Sequence, residues 1–295
     1  KRASKWLSEA QRGKDVMGME KALNRTHEEA AEQAVEGGVR EDGDRIGEDG
    51  LLVCGKCGTP KQRRIEVPFR DEPMVVRCLC ACEEREARER EEREAREQAQ
   101  AWATAKREEC FDTAPALVSC TFESDDRKNP WVSAACERYA DTFTTGDPSG
   151  LLLYGDVGGG KTYMAAAIAN RLIDRGFSPL QTDVGSVAIL MESSFEMRQR
   201  NLERILGHDL LVIDDIGAQR STEYMMQHVY TLIDGCYRHG RPMVVTTNLD
   251  SERMAQLHAS GPWSRILDRI LEVCYPIKFV GNRRKANALE MRKSM

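Results

Sequence analysis

No apolar run in the 295-residue sequence approaches the roughly 20 residues needed to span a bilayer, and the first fifteen residues, "KRASKWLSEAQRGKD", lack the apolar stretch of a signal peptide. A transmembrane helix is therefore not expected, and the sequence reads as that of a cytoplasmic protein. Net basic charge is also missing. The formal charge is −5, so any contact with nucleic acid has to come from a local patch rather than from bulk attraction. Between residues 83 and 98 apolar side chains almost vanish, and "EEREARER" is followed at once by "EEREAREQ". This octad-like repeat has no a/d stripe, which argues against a coiled coil. Glu and Arg placed three and four apart, with Ala between them, favour a single solvated helix that acts as a stiff spacer, the alternative being a disordered polyampholyte linker.

Hydrophobic residues still make up 41% of the chain, enough for one large core and a smaller unit. Residues 1–50 are polar and rich in Gly and acidic residues, as in "EGGVREDGDRIGEDG", and are expected to be largely flexible, with a short helix near 15–35. Residues 51–82 carry half of the ten cysteines, 83–110 form the charged helical linker, 111–285 a large α/β domain, and 286–295 a basic tail. In the large domain "GLLLYG" (150–155), "DLLVIDDIG" (209–217) and "RPMVVTTNL" (241–249) read as buried strands. Helical patterns at 162–176 and 222–240 alternate with them, a rhythm that predicts a parallel sheet covered on both faces.

"GDVGGGKT" (155–162) fits G-x-x-x-x-G-K-[ST] between a buried strand and a helix start. Gly155, Asp156, Val157, Gly158, Gly159 and Gly160 form the loop, whose backbone N–H groups cradle phosphate oxygens at the helix N-terminus. Lys161 reaches the β- and γ-phosphates of ATP, the Thr162 hydroxyl ligates Mg2+, and Tyr163 follows on the helix. The apolar strand "LLVID" delivers Asp214 to the same magnesium, and Asp215 stands where it can polarise an attacking water. Asp215 is one methylene shorter than the glutamate more usual there, so slow hydrolysis is expected. Asn248, ending "TTN", can bond a γ-phosphate or that water if its strand lies between the other two; the rival reading is a turn cap. Arg265 and Arg269 lie four apart and share one helix face, which fits either a solvated surface or a cationic contribution to a neighbouring subunit's site.

"CGKC" (54–57) and "CLCAC" (78–82) read as a zinc site. Zinc takes four thiolates, so one of five is spare: Cys54 and Cys57 form one pair, and two of Cys78, Cys80 and Cys82 complete the set. A redox C-x-x-C and an iron–sulfur cluster are the alternatives.

"LLLYGDVGGGKTYMAAAIANRLID", "LLVIDDIGAQRSTEY", "VVTTNL" and "RILDRILEVCYPIKFVGNRRK" together resemble the AAA+ ATPases of the DnaC/DnaI helicase-loader group, with the IstB transposition ATPases as close relatives. The resemblance covers about 111–285. It implies an αβα AAA+ core without a helical lid, Asn248 as sensor 1, Arg269 as arginine finger and Arg265 as the arginine preceding it. In "GNRRK" the aromatic usual before the sensor-2 arginine is missing, which leaves that role for Arg283 or Arg284 open. It also implies a slow ATPase acting as a homo-oligomer, with a replicative DNA helicase docked on the zinc module and single-stranded DNA in the channel. Arg220, Thr222 and Tyr224 after the second motif, or Arg198, Arg200 and Arg204 in "EMRQRNLERIL", are the candidate DNA contacts. An IstB-like transposition regulator, or an ATP-switched binding module with little turnover, are the competing functions.

Overall fold

The computed structural model describes residues 43–68, 72–192, 194–217, 223–259 and 262–281. Compactness divides the chain into two units at Glu97/Gln98.

The small unit is built from two hairpins. Strand β1 (Arg45–Ile46) pairs antiparallel with β2 (Leu52–Val53), and β3 (Gln62–Ile65) with β4 (Met74–Arg77). These strands are too short to bury a core of their own, and among the described residues the buried cluster of the unit is formed by Cys54, Cys80 and Cys82. Folded structure begins before residue 51, contrary to the expected boundary. Asp44 accepts the Gly55 amide at 3.1 Å and the Lys61 ammonium at 3.0 Å, and Gly47 donates to the Leu51 carbonyl at 2.8 Å. The acidic and glycine residues that suggested a flexible tail are here turn-formers and partners for backbone amides. Residues 1–42, with the helix expected near 15–35, lie outside the described residues.

Helix α1 (Ala81–Cys110) starts on the cysteines and continues without a break for 30 residues. Its first turn is fixed by Glu83, whose carboxylate accepts the Cys80 amide at 2.9 Å, one half of a capping box. Along 83–99 its side chains are mostly exposed, as the repeat predicts. The last turns differ. Ala103 and Cys110 are seven apart, share a face and are buried with Phe111 in the core of the large unit, so that part of the expected linker belongs to the domain that follows it.

The large unit holds a five-stranded sheet of order β6-β7-β8-β5-β9: β5 (Gly150–Gly155), β6 (Pro179–Asp183), β7 (Leu210–Asp214), β8 (Met243–Thr247) and β9 (Cys274–Phe279). All four pairings are parallel. Because side chains alternate along a strand, the sheet feeds two cores. Leu151, Leu153, Val212, Val244 and Phe279 face α2 (Pro130–Thr142) and α3 (Lys161–Asp174). Leu152, Leu211, Ile213, Val245 and Cys274 face the other layer, made by α4 (Val184–Met191), α5 (Phe195–Leu206), α6 (Glu223–Arg238), α7 (Ser251–Ala259) and α8 (Pro262–Val273). This is the expected αβα arrangement. Strand β8 lies between β7 and β5, which brings the ends of the three strands read from sequence to one edge of the sheet. Among the described residues no helix is long and apolar enough to cross a membrane.

Candidate nucleotide site and cysteine cluster

Strand β5 ends in the glycine-rich loop, and α3 begins at Lys161 directly after it. Gly155 has φ +121, and a Cβ built there would stand 2.2 Å from the Phe279 carbonyl oxygen. A side chain is thus excluded both by conformation and by the neighbouring strand. The loop is laced to the end of β9: the Asp156 amide donates to the Phe279 carbonyl at 3.2 Å, and the Asp156 carboxylate accepts the Gly281 amide at 2.9 Å. The Lys161 ammonium donates to the carbonyls of Gly155 at 3.0 Å and Asp156 at 2.7 Å. Burial pulls its pKa below the usual lysine value, and the carboxylates of Asp215, Asp156 and Asp214 act against that.

The cleft has a volume of about 770 Å³ and is lined by Gly158, Gly160, Lys161, Thr162, Asp214, Asp215 and Asn248, among others. Thr162 donates to Asp214 Oδ1 at 2.9 Å and Oδ2 at 3.2 Å. Asn248 Nδ2 donates to Asp215 Oδ1 at 2.6 Å, so the asparagine sits on the carboxylate proposed to handle water. Asp215 has φ +57, a left-handed conformation that aspartate tolerates better than most residues. Desolvation in the cleft, with the Asp214 carboxylate beside it, raises the Asp215 carboxyl above its ordinary range. Val157 is exposed at the tip of the loop, and the Tyr163 hydroxyl donates to the Thr121 carbonyl at 2.8 Å.

The cleft also holds residues that no motif indicated. Thr246 donates to Asp214 at 2.6 Å and accepts the Asp215 amide at 2.8 Å, which fixes the two aspartates relative to each other. Its signal was present as the first threonine of "TTN" on the adjacent parallel strand. Leu117, Cys120, Ser124, Asp125 and Asp126 line the cleft from a segment around the 3-10 turn Pro115–Ser119, whose sequence carries no recognisable signal.

Arg269 is not in this cleft. Its Nε donates to Asp234 at 3.3 Å, and its guanidinium lies 4.2 Å from the centre of the Tyr237 ring. Arg265 is exposed on the same helix and makes no ion pair with the described residues. Of the arginines of α5, Arg200 and Arg204 are exposed and Arg198 is half-buried; Arg204 also lines a separate cavity with Glu109 and His208. Arg220, Thr222, Arg283 and Arg284, and the side chain of Tyr224, lie outside the described residues.

In the small unit Cys54, Cys57, Cys80 and Cys82 have their sulfurs within 4.8 Å of one another. Zinc–thiolate bonds of about 2.3 Å place tetrahedral sulfurs about 3.8 Å apart. The Cys54–Cys82 distance is 3.5 Å and the Cys80–Cys82 distance 3.1 Å, so the four fit zinc with little movement. Cys78 is the spare, turned to the Pro60 carbonyl at 3.5 Å. The sequence left this choice open; in the fold, hairpin β3–β4 and the start of α1 bring the sulfurs of Cys80 and Cys82 to those of Cys54 and Cys57. Cys80 precedes the helix and Cys82 is in its first turn; burial pushes the Cys80 thiol up to about 12, so binding a metal there has to displace its proton.

A phosphate-binding loop, an aspartate pair at the end of β7 and a parallel αβα sheet define the large unit as a P-loop nucleotide-binding domain of the AAA+ kind. The chain belongs to the family of IstB-like ATP binding proteins, whose model matches residues 83–290. Over 165 residues it is 30% identical to the replicative helicase loader DnaC of Escherichia coli (strain K12), a match covering 53% of this chain and 64% of that one. It is 26% identical over 184 residues to the replicative helicase loader DnaI of Bacillus subtilis (strain 168), covering 57% and 59%. The match thus spans less than two thirds of either loader. The crystal structure of the DnaC helicase loader shares the fold, with a TM-score of 0.50 and 19% identity over 57% of this chain and 100% of that one.

Proposed function

We propose that the protein binds and slowly hydrolyses ATP as a replicative helicase loader. What supports this reading is the match to two loaders across the domain that carries the cleft. Lys161, freed from the loop carbonyls, pairs with the β- and γ-phosphates. Thr162 and Asp214 are hard oxygen ligands held together in the cleft, a donor set that suits Mg2+. When bound, that ion neutralises charge developing on the phosphates. Asp215, oriented by Asn248 and by the Thr246 contact to its amide, accepts a hydrogen bond from the attacking water. Arg269 lies outside its own subunit's cleft and acts in this reading on a neighbour's γ-phosphate within a homo-oligomer, with Arg265 beside it.

The cysteine set would hold a structural zinc, and the small unit it closes is the docking surface for the helicase. Single-stranded DNA is engaged by the assembled ATPase domains. The test uses the full chain: it should retain a replicative helicase in a pull-down, the Cys57→Ser variant should not, and single-stranded DNA should stimulate ATP turnover. Retention of a transposase in place of a helicase would favour the IstB-like transposition reading, which the family name itself keeps in view. Nucleotide binding without DNA-stimulated turnover would favour the ATP-switched module.

A further inference from the structure

Two side chains connect the last turn of α1 to one wall of the nucleotide cleft. Arg107, on α1, donates from Nε to Asn170 Oδ1 at 3.1 Å and from Nη2 to the Asp174 carboxylate. Asn170, on α3 and only 1% exposed, turns the other side of its amide to the chain ahead of α2. Its Nδ2 donates to the carbonyls of Leu117 at 3.1 Å and Cys120 at 2.8 Å. Both amide hydrogens and the amide oxygen are engaged in one orientation. The guanidinium has only donors and the two carbonyls only acceptors, so a flipped amide would meet repulsion at every contact.

The wall so held depends on outside support. The 3-10 turn Pro115–Ser119 buries none of its residues, and Ala114 before it provides no side-chain cap. Besides the packing of Leu117, Cys120 and Phe122 against the core, its polar fixed points come from α3: Asn170, and Tyr163 through the Thr121 carbonyl at 2.8 Å. These two are seven residues apart, hence on one face of the helix. The same helix presents Lys161 and Thr162 at its N-terminus, so α3 spaces the phosphate-binding end of the cleft from the wall that contains Leu117 and Cys120. Leu117 and Cys120 give that wall an apolar stretch, next to Ser124, Asp125 and Asp126, against which the nucleoside half of a nucleotide can rest once the phosphates occupy the loop.

We propose that Asn170 and Arg107 are positioning residues for the nucleoside half of the nucleotide: Arg107 orients the Asn170 amide, and Asn170 holds the Leu117–Cys120 wall in place. Neither touches the phosphates, so their effect is confined to ligands that carry a base and ribose. This rests on the reading of the cleft as an ATP site, and the experiment separates the two. With Mg2+ present, ATP and inorganic tripolyphosphate are each titrated against a fluorescent ATP analogue on the full-length protein, for the parent, Arg107→Met, Arg107→Lys and Asn170→Leu. Losing one such hydrogen bond corresponds to about a 5- to 10-fold change. Arg107→Met should weaken ATP by that factor and leave tripolyphosphate unchanged, Arg107→Lys should recover part of the loss, and KM should rise with kcat unaltered.

Asn170→Leu should weaken ATP further. If that buried change prevents folding, the half-exposed Arg107 decides the matter alone. Equal weakening of ATP and tripolyphosphate by Arg107→Met, or no weakening of either, overturns the proposal. Failure of the parent protein to bind ATP at all removes the nucleotide reading and this inference with it.

Discussion

The Thr162 hydroxyl donates to both carboxylate oxygens of Asp214, at 2.9 and 3.2 Å, although the two residues stand 52 positions apart. One comes from the helix after the phosphate loop and the other from a strand two places away in the sheet, so the contact exists only when the sheet is assembled in its native order.

Thr162→Val keeps the shape of this side chain and removes its hydroxyl. ATP turnover should fall on the order of 100-fold, the scale seen when one preorganised polar group leaves a catalytic site. The Mg2+ concentration needed for half-maximal activity should rise. A variant with unchanged turnover at every Mg2+ concentration would remove Thr162 from the metal site.

Asp215 gives a prediction in which activity and stability move in opposite directions. Its carboxyl is raised above the ordinary aspartate value of 3.8 by desolvation and by Asp214, so the folded state holds its proton more tightly than the unfolded chain does. The stability this contributes is fully present below the unfolded value and is lost as pH rises through the raised folded value. At neutral pH the parent therefore carries a charged group the fold disfavours. Asp215→Asn should melt at a higher temperature than the parent at pH 7, the gap closing as pH falls below the ordinary aspartate range, while its ATP turnover is abolished with binding retained. Thermal melts across pH and a phosphate-release assay check both halves.

The cysteine geometry gathers four sulfurs and leaves Cys78 outside the group. Cys80→Ser and Cys57→Ser should each strip bound zinc from the purified protein, whereas Cys78→Ser should keep one ion per chain. Metal analysis after gel filtration reads this directly, and loss of zinc from Cys78→Ser alone would reverse the assignment.

Gly155→Ala places a methyl group against the Phe279 carbonyl in a conformation that also strains it. The cost should be about 3–5 kcal/mol, in the exceptional range for single substitutions, and should appear in denaturant unfolding even without nucleotide. A change below about 1 kcal/mol would mean that the loop relaxes away from β9.

Legibility in the sequence followed the physical strength of each signal. Strands β5, β7 and β8 are continuous apolar runs because both faces of the sheet are covered, and such runs are conspicuous. Strand β6, "PLQTD", carries a proline and polar residues at the sheet edge, and β9, "CYPIKF", follows α8 with no intervening turn residue; neither stood out as a strand. Lys161, Thr162, Asp214, Asp215 and Asn248 were indicated by chain order alone, and the structure gathers them in one cleft. Thr246 was missed as a functional residue because its importance lies in a cross-strand contact. Leu117, Cys120 and Asn170 escaped because a wall held by carbonyl groups leaves no pattern in side-chain identities. The choice of Cys80 and Cys82 over Cys78 needed the turn into α1, which no spacing rule supplies.

The bond from the Gly281 amide to the Asp156 carboxylate joins residues 125 positions apart, and this gives the site a schedule during synthesis. At ribosomal rates of roughly 5–20 residues per second, the phosphate loop is made on the order of ten seconds before the strand that braces it. For that interval a nascent chain has its glycines, its lysine and much of its sheet but not the carbonyl and amide that hold the loop's shape. Nucleotide capture is thereby deferred until β9 has been made, and chains broken off before β9 are expected to be poor competitors for ATP.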